Sequence, residues 1–176
     1  MMGVPHLAEK PILFVASLFS EKNIYDDVFP ILQDTFGDVF FRGDIRPWKY
    51  SNHYNNELGV PLYRSFIFFN ETIDPSTLAD IKLVTNAIEE KWSHAGKRRI
   101  NLDPGYLTLA KVVLASTKNY SHRIYIGKGI YAELALVYKN HQFITMPYTY
   151  NDYKDQHYLS MFMKVRSFLK EAQENH

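Results

Sequence analysis

The chain has 176 residues, 46% hydrophobic and 22% charged, with a net charge of +1 and no cysteine. A chain this long buries roughly 70% of its unfolded surface, so one domain over residues 1–176 with a real core is expected. Disulfide scaffolds and thiolate chemistry are excluded, and the near-neutral balance argues against a long nucleic acid as partner. The apolar run at residues 12–19 is too short to span a membrane and lacks a basic start. A cytoplasmic protein with no membrane partner is therefore expected.

In chain order, residues 12–18 read as a buried strand. A helix follows over 20–36, with Ile24, Val28, Ile31, Leu32 and Phe36 on one side and Gly37 as its stop. Pro30 cannot donate to the i−4 carbonyl, which predicts a kink there or a start near Asp27. A short strand at 39–41, a polar loop over 50–59 and a strand at 62–69 come next. Asp74-Pro75 is an N-cap followed by proline at the first helical position, and predicts a helix to about residue 94. Leu78, Ile81, Thr85, Ile88 and Trp92 mark its inner stripe. Residues 98–102 read as a strand. Asp103-Pro104 repeats the cap signature, predicting a helix through about residue 115, with a hairpin turn at Asp103-Pro104-Gly105 as the alternative. A hairpin over 123–138, a strand at 142–146 and a helix over 156–172 close the chain. The order predicts an α+β fold: a ferredoxin-like βαββαβ core extended by a β-hairpin and a C-terminal helix.

The hairpin has two possible registers. A turn through Gly127-Lys128-Gly129 sets Arg123 opposite Glu133, Ile124 opposite Ala132, Tyr125 opposite Tyr131 and Ile126 opposite Ile130. A two-residue turn sets Ile124 against Glu133. The first segregates apolar from polar groups and is the predicted register.

Asn101-Leu102-Asp103-Pro104-Gly105-Tyr106-Leu107 resembles a signature of a prokaryotic domain-of-unknown-function family, number 4416. Leu114-Ala115-Ser116-Thr117-Lys118, His122-Arg123-Ile124-Tyr125, Gly129-Ile130-Tyr131-Ala132-Glu133 and Tyr148-Thr149-Tyr150-Asn151-Asp152-Tyr153 extend the similarity over nearly the whole chain. The resemblance carries no established activity. No G-x-x-x-x-G-K-[ST], G-x-G-x-x-G or G-x-S-x-G run occurs, so phosphate-loop and nucleophile-elbow chemistries have no motif here.

Residues 97–128 hold Lys97, Arg98, Arg99, Lys111, Lys118, Arg123 and Lys128 against the single acid Asp103. Such a segment favours a small anionic ligand, a nucleotide or phosphorylated metabolite. Arg99, Lys118 and Arg123 are the expected anion-binding cations, with Tyr125 and Tyr131 as ring-binding walls. Arg99, Asn101 and Asp103 should share a strand face by period two. Asp103, His122 and Glu133 are candidate catalytic acid/base groups, the cations beside His122 favouring its neutral ring. Asp103 and Glu133 are also the candidate ligands of a Mg²⁺-like ion. Nine of the 13 tyrosines lie between Tyr106 and Tyr158. They support a second reading, a non-enzymatic or homodimerising module that uses the loop Tyr148–Tyr153 and the last helix.

Overall fold

The structure, a computed structural model, describes residues 3–174. Strand β1 (Ile12–Phe19) leads into α1 (Lys22–Phe36), β2 (Val39–Arg42), β3 (Arg46–Pro47), the one-turn α2 (Asn55–Leu58) and β4 (Tyr63–Thr72). A 3₁₀ turn, Pro75–Thr77, opens α3 (Leu78–Lys91). Then come β5 (Ile100–Leu107), β6 (Lys111–Ser116), β7 (Arg123–Gly127), β8 (Ile130–Lys139), β9 (Gln142–Thr145) and α4 (Gln156–Glu174).

The strands form one antiparallel sheet in the order β2-β4-β1-β5-β6-β8-β7, with β3 on β4 and β9 on β8. Strand β1 lies inside the sheet and all eight of its residues are buried. That explains its unbroken apolar run, because both faces are covered. One face packs Leu13, Val15 and Phe19 against Ile24, Val28 and Leu32 of α1 and Ile81 and Ile88 of α3. The other packs Phe14, Phe66 and Phe68 against Phe162, Val165 and Leu169 of α4. Among the described residues, no helix is long and apolar enough to cross a membrane.

Helix α1 runs through Pro30 and begins at Lys22, so the proline does not set its start. Asp74 accepts a hydrogen bond from the Ser76 N–H at 2.8 Å, as its capping position predicts, although the first turn is 3₁₀. The larger departure is at Asp103-Pro104-Gly105. These residues neither cap a helix nor turn; they lie within β5, opposite Ala16, Val15 and Phe14 of β1. The chain reverses later, where the Thr108 hydroxyl accepts from the Ala110 and Lys111 N–H groups at 3.1 Å. Tertiary pairing here overrides a local turn signal.

Glycine at 105 is required by close approach. A Cβ there would lie 2.5 Å from Phe14 Cζ and 2.5 Å from the Val113 carbonyl oxygen, and a backbone atom cannot swing aside. Gly105→Ala should therefore destabilise the fold by about 2 kcal/mol, a fall in Tm of roughly 5 °C. Thermal melts of the two proteins check this, and an unchanged Tm would show that the β5–β6 approach is loose.

Candidate functional site

Strands β5 and β6 pair only at Gly105–Leu114, Tyr106–Val113 and Leu107–Val112. Beyond Gly105 they part, although β5 continues back to Ile100 and β6 on to Ser116. Helix α3 fills the opening with two side chains. Glu89 Oε1 accepts the Leu102 N–H at 2.6 Å, and Lys82 Nζ donates to the Leu102 carbonyl at 2.9 Å. The backbone groups of Leu102 thus point toward the absent strand. Residues two apart point the same way, so Pro104 presents its nitrogen on that side, where it has no N–H to offer. The sheet opens where a proline cannot continue the ladder.

A polar network runs from this opening. Arg98 makes a two-pronged bond to Glu57 (2.6 and 2.9 Å) and also reaches Glu89 at 3.0 Å and Asn101 at 2.7 Å. Asn101 donates to Asp103 at 2.7 Å, and Asp103 lies 3.6 Å from Lys82 and 3.7 Å from Arg64. Arg64 donates twice to Asp152, at 2.9 and 2.7 Å. Burial penalises the charge on Arg64, but Asp152 and Asp103 together raise its pKa. Burial raises the pKa of Glu89, opposed by Lys82, the Leu102 N–H and Arg98. The bond from Arg98 holds Glu57 below the ordinary carboxylate value.

Two adjoining cavities border this network around Asp103, and a third, open one of about 600 Å³ lies beside Glu57, Arg98 and Arg99. The first, of about 300 Å³, is walled by Trp48, Tyr50, Tyr54, Tyr120, Tyr150 and Tyr153, with Arg64, Asp103, Lys118, Arg123, Glu133 and Asp152 among them. The second, of about 280 Å³, is polar: Lys82, Arg98 and Lys118 face it with Glu89, Asn101 and Asp103. Tyr54, Asp103, Ser116, Lys118 and Tyr150 belong to both linings, so the cavities adjoin. Burial raises the phenol pKa of Tyr54 and Tyr150, keeping these shared walls neutral.

Of the residues singled out from sequence, the structure brings Asp103, Lys118, Arg123 and Glu133 to the aromatic cavity. The hairpin pairs Arg123 with Glu133, Ile124 with Ala132 and Tyr125 with Tyr131 in the predicted register. The tip differs. Gly127 pairs with Ile130 across a two-residue turn, leaving Ile126 in a bulge, with Lys128 and Gly129 both at positive φ. Ile124 is 73% exposed rather than inward, because the hairpin turns the face of Arg123 and Glu133, both buried, toward the interior. The Arg123–Glu133 pair is buried at 2.8 Å, and Arg123 also donates to the Tyr150 hydroxyl at 2.7 Å.

The other expected residues lie elsewhere. Arg99 is outside β5 and makes a surface pair with Glu21; Arg98 is the one that meets Asn101. Tyr125 and Tyr131 contact each other outside both linings, Tyr125 being 59% exposed. His122 bonds Glu133 at 3.1 Å and stacks on Tyr148 at 4.2 Å, so a carboxylate is its partner rather than the cations beside it in sequence. The metal expectation has no geometric support. Asp103 and Glu133 are engaged by cationic side chains, and no group of three His, Cys, Asp or Glu is placed to hold an ion among the described residues.

Arg64, Asp152, Lys82, Glu89, Arg98 and Glu57 are not among the site residues that the sequence singles out. A lone arginine near the start of the apolar strand β4 is a signal for the first of these. The polar positions Lys82, Thr85 and Glu89, all buried on α3, are another. Asp152 offers no such signal.

An α+β scaffold whose antiparallel sheet opens onto a pair of adjoining cavities is thus the class defined by fold and site. The family model described as Domain of unknown function (DUF4416) matches residues 9–168, and the chain belongs to that family. No curated protein and no solved structure matches it.

The Leu102 clamp can be tested by substitution. Glu89→Ala leaves a buried N–H without an acceptor and strips Arg98 of one partner, and should cost about 3 kcal/mol. Glu89→Gln keeps an acceptor for Leu102 and should cost only about 1 kcal/mol. Urea unfolding measures both; equal losses would show that the charge, not the acceptor, is what Leu102 needs.

Proposed function

We propose that the chain binds a small ligand made of a planar ring joined to an anionic group, in the chemical range of a nucleotide or phosphorylated metabolite. The observation that carries this reading is the adjoining of an aromatic-walled cavity and a polar one across Tyr54, Tyr150 and Lys118. Each has the volume of a small-ligand compartment. Tyrosine and tryptophan faces suit a ring. In the polar cavity three cations, Lys82, Arg98 and Lys118, meet two carboxylates, Glu89 and Asp103. Lys118 makes no ion pair among the described residues, which makes it the cation available to an anion. Carboxylates hold Arg64 and Arg123 in the aromatic cavity, as they hold Lys82 and Arg98 in the polar one, so Lys118 at the junction is the cation left for an anion. The reading places the anion at Lys118, where the two cavities meet, and the ring between the aromatic walls.

The strand order β2-β4-β1-β5, with α1 and α3 on one face, supports reading this half of the chain as a ferredoxin-like core. The alternative of a protein-interaction or homodimerising module has less support. Thr149, Asp152 and Tyr153 of the tyrosine-rich loop and the inner residues of α4 are buried rather than displayed.

Thermal shift and titration calorimetry with nucleoside monophosphates, their parent nucleosides and inorganic phosphate test the proposal. Monophosphates should raise Tm most, since ligand at ~100 Kd adds about 2.7 kcal/mol. Lys118→Ala should weaken the monophosphates about 10-fold while leaving the nucleosides unchanged, the loss expected for one charge-assisted contact. If no monophosphate or phosphorylated metabolite moves Tm, the proposal fails.

A further inference from the structure

Six buried side-chain polar atoms lack a hydrogen-bond partner among the described residues, and four belong to residues lining the aromatic cavity. These are Arg64 Nη1, Asp152 Oδ1, Glu133 Oε1 and the Tyr153 hydroxyl. Buried polar groups are almost always satisfied, so such a concentration at one cavity marks where an outside partner completes the set. Arg64, Asp152 and Glu133 are 5%, 0% and 1% exposed. Their remaining atoms are committed: Arg64 Nε and Nη2 go to Asp152 Oδ2, and Glu133 Oε2 takes both Arg123 and His122. Arg64 Nη1 stands 3.7 Å from Asp103, beyond hydrogen-bond distance.

The chemistry of the four open positions is specific. Two are carboxylate oxygens, which only accept; one is a guanidinium nitrogen, which only donates; the Tyr153 hydroxyl can do either. A phosphate or carboxylate could satisfy the arginine but would repel both carboxylates. A purely apolar ring would leave all of them unpaired. We infer that the ring taken by the aromatic cavity is a nitrogen heterocycle carrying an amino group and a carbonyl, its N–H donors meeting Glu133 and Asp152 and its carbonyl meeting Arg64. The inference rests on the two-compartment reading and names the ring for it. Trp48, which already stacks under the Arg64 guanidinium at 5.0 Å, would flank that ring.

Matched ligands decide the matter by calorimetry. GMP differs from IMP by the exocyclic amino group alone, and CMP from UMP by an amino group in place of a carbonyl together with an accepting N3 in place of a donating N3–H. In at least one pair the amino member should bind about 10-fold tighter or more, because its partner leaves a buried carboxylate oxygen unpaired. Glu133→Gln keeps an oxygen for Arg123 but offers an amide N–H where a ligand donor is expected, so it should abolish or reverse that preference. Calorimetry on the unmodified chain needs no variant and stands even where Glu133→Gln fails to fold. If monophosphates bind and neither pair discriminates, water fills these positions and the inference is overturned while the two-compartment reading stands. A preference that survives in folded Glu133→Gln likewise overturns it. If none of the four binds, the inference falls. The two-compartment reading falls with it only where phosphorylated metabolites also leave Tm unmoved.

Discussion

The site depends on two hydrogen bonds from α3 to the backbone of Leu102. A strand that loses its neighbour exposes an N–H and a carbonyl, and burying them unpaired would cost several kcal/mol. Glu89 and Lys82 supply the acceptor and the donor that β6 withdraws. Their placement two turns apart on one face of the helix matches the donor–acceptor pair of a single residue. The helix thereby stands in for one rung of a ladder, and the sheet can split without leaving orphan groups in its core. The rest of the polar network takes its position from that clamp, because Glu89 also holds Arg98 and Lys82 also approaches Asp103.

Charge is organised by pairing across distant segments. The cationic stretch between Lys97 and Lys128 is not a cationic surface in the folded protein. Glu57 and Glu89 hold Arg98, Glu21 holds Arg99, Glu133 holds Arg123 and Asp80 holds Lys128. Linear charge counts miss this because the compensating acids lie outside that stretch, from 9 to 78 residues away from their partners. What survives pairing is local, and Lys118 at the junction of the two cavities is the clearest case.

Legibility in the sequence followed how local the cause was. Most buried strands, α1, α3 and α4 could be read from periodicity and caps, but not β6, which lies where a helix through about residue 115 is predicted; the Arg123–Glu133 pairing could be read from the need to segregate two faces. The path of Asp103-Pro104-Gly105 could not. Its turn chemistry is genuine, yet pairing with β1 and the approach of Phe14 and Val113 draw it out straight. The same misreading put Arg99 on the site in place of Arg98, because the strand begins at Ile100 and not two residues earlier. Arg64 and Asp152 meet across 88 residues, a separation that no window of sequence reveals.

Pro104 has a further consequence for binding thermodynamics. A sheet split by side chains alone could zip shut in the absence of ligand, and each binding event would then have to reopen it. At Pro104 the missing N–H removes the rung that closure would need, so the empty cleft keeps its width. A guest of the proposed kind would find little conformational freedom to freeze, and contact energy would then be expressed as affinity instead of being consumed by rearrangement. Pre-organisation in this fold is thus written into the main chain, at a residue whose side chain touches none of the chemistry.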